Sequence, residues 1–151
     1  IREHIEAAKA YEPPNPNQHT LDVIESYRSK IEKSPDDPET PALLEAMGNL
    51  YAYKLGDFEM AASCYDQLLH RYPDYKRGRT YVNLVTSFEK NDDIEGAIRV
   101  CREIRKEFPE DSEVFQWAVE KVRKDIWEMS APAPETLPAE NTTSGEDSIT
   151  N

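Results

Sequence analysis

The chain has 151 residues, enough for one domain with a sizeable core. A formal net charge of −12, with 32% charged and 38% apolar residues, argues against binding nucleic acid or anionic membrane by bulk attraction and predicts a well-solvated surface. Five glycines and four phenylalanines argue against an all-β design despite eight tyrosines, and no run approaches the roughly 18 apolar residues of a membrane span.

Residues 1–11 read as a helix with Ile1, Ile5, Ala8 and Tyr11 on one face. Because the chain starts at Ile1 rather than methionine, a preceding segment is expected to have been removed, with room for a signal peptide or anchor. The breaker cluster Glu12-Pro-Pro-Asn-Pro-Asn-Gln forces a loop. Thr20 is the expected cap of a second helix to about Lys33, with Leu21, Ile24, Tyr27 or Arg28, and Ile31 on its apolar stripe. Ser34-Pro-Asp-Asp-Pro-Glu-Thr40-Pro41 stops that helix and starts another, Thr40 suiting the N-cap and Pro41 the first helical position.

Leu44 to Pro73 then reads as two short amphipathic helices folded back through a tight turn at Gly56-Asp57-Phe58. Gly48 lies inside the first of them, where glycine costs about 1 kcal/mol relative to alanine. A glycine there lets another element approach closely, and Ala61 is the expected neighbour. Asp57 can cap the second helix and Pro73 ends it. One such hairpin cannot bury its own apolar face, so it predicts neighbours of its own kind.

Those neighbours follow. Tyr81, Leu84, Val85 and Phe88 have the spacing of a buried helical face, and Asp92-Asp93-Ile94 stands where Gly56-Asp57-Phe58 stood. Ala97, Cys101, Ile104 and Pro109 each fall 36 residues after Ala61, Tyr65, Leu68 and Pro73. Self-similarity at that period marks a helical-repeat protein. From Ser112 to about Met129, Phe115, Ala118, Val119, Val122, Ile126 and Met129 form one more stripe with no second helix after it, as a terminal capping helix would. The Pro- and Ser/Thr/Glu-rich end from Ala131 is expected to be disordered.

Catalysis has little to stand on. His4, His19 and His70 are scattered, and no phosphate loop, zinc-ligand pair or nucleophile elbow is present. Cys64 and Cys101 fall on core-facing helical positions and read as small buried hydrophobes, with no metal or cofactor expected.

These residues resemble the tetratricopeptide repeat. Leu44, Met47, Gly48 and Tyr51 stand at its first-helix packing positions, and Ala61, Tyr65, Leu68 and Pro73 at those of its second helix. The second repeat departs twice, with Val85 for the glycine and Cys101 for the aromatic, and the first carries one extra residue before Gly56. The resemblance implies an all-α fold, a right-handed superhelix of stacked antiparallel helix pairs. It divides the chain into a degenerate helix pair (1–40), two repeats (41–75 and 76–111), a capping helix (112–129) and a disordered tail (130–151). The endings His70-Arg-Tyr-Pro73 and Lys106-Glu-Phe-Pro109 are similar to those of envelope-associated bacterial members, which favours a bacterial cell envelope or periplasm over the cytoplasm.

In this family the first helices line a concave groove. Carried over, the resemblance offers Asn49 and Tyr53 from one repeat, Arg79, Asn83, Thr86 and Lys90 from the next, and Trp117 and Arg123 from the capping helix. Both asparagines can donate to and accept from a peptide backbone. Glu45, Glu113 and Trp117 stand where the chaperone-binding members place cations for a terminal carboxylate, which argues against that ligand. Lys76-Arg77-Gly-Arg79, a dense basic spot, reads as a solvated helix start balanced by acids such as Asp74, with a phosphate or acidic peptide as the other occupant. The implied function is a non-catalytic adaptor or scaffold that grips a partner protein in its groove, without nucleic acid or membrane insertion. The alternative is an accessory subunit of a larger, membrane-associated complex that uses its flat and convex surfaces.

Overall fold

The computed structural model describes residues 12–130, with side chains placed to Lys124. The readings on residues 1–11 and 131–151, and on the side chains of Ile126 and Met129, therefore lie outside the described residues. The described residues form six α-helices in order: α1 (Gln18–Lys33), α2 (Thr40–Leu50), α3 (Phe58–Arg71), α4 (Arg77–Lys90), α5 (Ile94–Glu107) and α6 (Glu113–Ser130). A five-residue π-turn, Tyr51–Leu55, continues α2. Each helix packs on the next one in the chain, the arrangement of an all-α helical repeat.

Local chemistry explains most boundaries. The Asp57 carboxylate accepts from the Met60 amide at 3.0 Å and starts α3, while Asp93 does the same for Gly96 at 2.9 Å and starts α5. Two expected caps are corrected. Helix α1 begins at Gln18, so Thr20 sits inside its first turn, and Gln18 itself bonds Asp22 at 2.8 Å. Helix α2 already includes Thr40, whose hydroxyl donates 2.6 Å to the Ser34 carbonyl. That bond satisfies a buried hydroxyl and ties the α1–α2 loop to the helix start.

The core runs the length of the stack, from Ile24 and Ile31 on α1 to Ala118 and Val122 on α6. Cys64 and Cys101 are buried in it, as small hydrophobes should be. Burial pushes the Cys64 thiol up to about 11, so it stays protonated and unreactive near neutral pH. Helix α1 is tied to the repeats by Arg28, which donates to the Tyr51 hydroxyl at 2.8 Å, and by Tyr72, which donates to the Pro35 carbonyl at 2.7 Å.

Gly48 does admit a close neighbour, but not the expected one. A Cβ built at Gly48 would lie 2.8 Å from Cε1 of Tyr65 and 3.2 Å from Cβ of Cys64, so the aromatic ring rather than Ala61 fills the space. Large Tyr65 therefore stands over small Gly48. In the second repeat the equivalent positions hold Val85 and Cys101, a larger residue paired with a smaller one, both fully buried. The two departures from the repeat pattern compensate each other in volume.

The extra residue of the first repeat also finds its place. In the second repeat the Asp93 amide bonds the Phe88 carbonyl, five residues back, at 2.8 Å. The matching bond in the first repeat runs from Asp57 to Tyr51, six residues back, at 2.8 Å. One additional residue is absorbed by widening the last turn of α2 into a π-turn, which Gly56 closes at φ 64°. The second repeat uses Asp92 at φ 59° for the same left-handed position.

Candidate partner-binding face

Alternate helices of the stack, α2, α4 and α6, are joined by ion pairs between residues more than thirty apart. Arg79 on α4 grips the Glu45 carboxylate on α2 with both ends of its guanidinium, Nε at 3.0 Å and Nη2 at 2.6 and 2.8 Å. Tyr75 adds a hydroxyl to the same carboxylate at 3.1 Å. Between α4 and α6, Glu89 accepts from Lys121 at 3.1 Å. Glu45 is nearly covered, its side chain only 12% exposed, so the pair is partly withdrawn from screening water. Burial, and then the hydrogen bond to Glu45, raise the Tyr75 phenol above its ordinary value.

This arrangement changes how two sequence features read. Glu45 does place a carboxylate where the family's chaperone-binding members place cations, but its charge is met by Arg79 rather than left open to a ligand. The basic spot is balanced chiefly from a distance, Arg77 pairing with Glu107 on α5 and Arg79 with Glu45, while the neighbouring Asp74 adds its charge to the field at Arg77. Lys76 stands 4.0 Å from Glu45 and 5.3 Å from the ring centroid of Tyr75. Arg79 and Lys76 thus brace consecutive repeats, and Arg77 ties together the two helices of its own repeat.

Four of the eight anticipated residues are drawn into one patch. The carbonyl oxygen of Asn49 accepts from the buried Tyr65 hydroxyl at 2.6 Å, which leaves its amide nitrogen to donate outward. Burial first, then the charges of Tyr53, Cys64 and Glu45, push the Tyr65 phenol up, while Glu45 and Asn49 stand one helical turn apart on α2. Tyr53 itself rides on the π-turn and is 73% exposed, the most exposed large apolar side chain described. Arg79 continues the patch into a depression of about 610 Å³ that it lines with Gly78, Val82, Glu113, Val114 and Trp117.

Trp117 is half-buried, packed against the core with the Lys121 ammonium 5.6 Å from its ring centroid. Asn83 and Thr86 are half-buried on α4, and their side chains make no hydrogen bond among the described residues. Lys90 and Arg123 are exposed, Arg123 pairing with Glu120 at 3.1 Å, and no described contact joins either to the patch.

Tyr65, Tyr75 and the bridging role of Glu45 were missed in the sequence. Tyr65 reads there as a packing residue, and nothing local links Glu45 to residues 30 and 34 positions later. Among the described residues no three His, Cys, Asp or Glu side chains stand close enough to hold a metal, and no helix is long and apolar enough to cross a membrane.

Compared with known families, residues 44–75 match the tetratricopeptide repeat. No curated protein matches the chain.

Proposed function

We propose that this chain, a tetratricopeptide repeat protein and so built on a protein-interaction fold, acts as an adaptor that holds an extended segment of a partner protein against the α2–α4–α6 face. The observation that carries the reading is Tyr53. A tyrosine 73% exposed on a widened helical turn contributes little to the fold. Tyrosine is also among the residues that dominate binding energy when a partner covers them. Donors and acceptors suited to a peptide backbone are the Asn49 amide on α2 and the Asn83 and Thr86 side chains on α4. The apolar depression beside Trp117 and Val82 has the size to take one large side chain.

Charge sets the partner's character. Arg79 and Lys121 are already engaged by Glu45 and Glu89, so the face offers hydrogen bonds and apolar area more than free cations. A neutral or mildly basic segment fits it better than an acidic one.

The test is site-specific photo-crosslinking in the source cells. A photoreactive phenylalanine analogue at Tyr53 should yield a discrete adduct, and the same group at Glu59, exposed on the second helix of that repeat, should not. Tyr53→Ala should lose the partner while the melting temperature stays within about 2 °C, the shift expected when under 1 kcal/mol is lost. Adducts from position 59 but not 53 would refute the reading.

A further inference from the structure

A second cationic cluster lies away from this face, at the edge between α5 and α6. Arg102, Arg105 and Lys106, with Glu110 and Phe115, line a depression of about 430 Å³. The Arg105 guanidinium stands 5.9 Å from the ring centroid of Phe115, which forms an apolar floor under a basic rim. Unlike Arg77 and Arg79, these three cations are exposed and make no ion pair among the described residues. In a chain of net charge −12, three such cations to one carboxylate form a local reversal of sign.

We infer that this depression is a docking site for the chain's own acidic end, residues 131–151. That segment carries Glu135, Glu140, Glu146 and Asp147 with no lysine or arginine, and Glu146-Asp147-Ser-Ile149 sets an apolar side chain beside two carboxylates. The pairing it fits is Ile149 on Phe115, with the carboxylates on Arg102 and Arg105, where guanidinium and carboxylate geometry match.

Reach agrees with this assignment. Helix α6 ends at Ser130, and Phe115 lies 15 residues back along it, roughly 22 Å at 1.5 Å per residue. The 16 residues from Ser130 to Glu146 can cover at most about 3.3 Å each, roughly 50 Å, so the distance lies well within their reach. A contact made within one chain also needs no second molecule to be captured from solution. The docked segment covers α5, a second helix, and leaves Tyr53 and Asn49 open. Its test therefore does not depend on whether that face binds a partner.

The experiment compares amide spectra of the full chain and of the full chain with Glu135→Gln, Glu140→Gln, Glu146→Gln and Asp147→Asn, substitutions that touch no described core residue. At about 0.01 M salt, where screening extends over about 30 Å, the amide shifts that differ outside the altered segment should cluster between residues 99 and 116. At about 1 M, where it falls to about 3 Å, those differences should be lost. Arg102→Glu with Arg105→Glu should release the segment in the same way and reproduce its unbound shifts. Differences confined to residues 131–151, or centred on α2 and α4, would overturn the inference. So would shifts that grow with protein concentration, because a second copy would then supply the segment.

Discussion

Replacing Gly48 by alanine sets two effects of similar size against each other, and the structure decides the sign. Alanine in place of glycine inside a helix is worth about 1 kcal/mol of propensity. The new methyl, however, would lie 2.8 Å from Tyr65 Cε1 and 3.1 Å from Cζ. The ring would have to retreat by roughly 0.7 Å to reach the distance at which carbon atoms attract. It has nowhere to go: Tyr65 is 1% exposed, and its hydroxyl is held by Asn49 at 2.6 Å. Overpacking of that kind costs about 1–3 kcal/mol, so Gly48→Ala should destabilise by about 1 kcal/mol net. In a Tyr65→Ala background the clash is gone, and the same substitution should stabilise by up to about 1 kcal/mol. Urea unfolding of the four proteins, with unchanged slopes, measures this coupling of about 2 kcal/mol. Stabilisation by Gly48→Ala in the wild-type background, or the same sign in both, would refute the packing argument. Gly48→Val with Tyr65→Cys, which transplants the second repeat's pair, should cost less than the sum of its parts.

Four further outcomes follow from named contacts. A double-mutant cycle of Glu45→Ala and Arg79→Ala should show a coupling of about 1 kcal/mol that shrinks in high salt; no coupling would mean the brace is idle. Asp92→Gly should raise stability by roughly 0.5 kcal/mol, because a left-handed φ of 59° strains an L-residue where the first repeat uses Gly56. Alkali should weaken the fold: the Cys64 thiol holds its proton to about 11 when folded against 9.0 as reference, so the folded chain binds more protons between these values. The urea midpoint should be level below pH 9 and fall from there to 11, where buried Tyr65 and Tyr81, also raised chiefly by burial, add to the loss; Cys64→Ala should delay its onset. Trp117→Ala should cost roughly 2–3 kcal/mol by thermal or urea unfolding, at or below the low end of the 3–5 kcal/mol of a fully buried aromatic, because part of the indole stays exposed.

The helices and their order were legible in the sequence. Apolar spacing, Pro73 and Pro109 as stops, and Asp57 and Asp93 as caps act over three or four residues, and such short-range rules survive in almost any packing. The repeat followed from the 36-residue spacing of Ala61, Tyr65, Leu68 and Pro73 with their counterparts. Even the extra residue before Gly56 could be counted, although not where it would go. Tertiary structure decided that it widens the turn at Tyr51–Leu55, because the caps on α3 and the packing of α2 hold both sides of the insertion in place.

Tertiary structure alone also chose the partners across helices. Ala61 and Tyr65 lie one turn apart on the same face of α3, so spacing could not say which of them meets Gly48; the relative slide of two helices settles it in favour of the ring. Glu45 looked like an open negative charge, and Lys76, Arg77 and Arg79 like a solvated cluster, because charges read one at a time carry no record of what faces them. Folding brings Arg79 to Glu45 and Arg77 to Glu107 across 34 and 30 residues, and gives Arg102, Arg105 and Lys106 no carboxylate partner among the described residues. Helical periodicity tells which way a side chain points, but its neighbour is set by how far one helix is shifted and rotated against the next, a quantity that depends on the whole packed surface and is written at no single position.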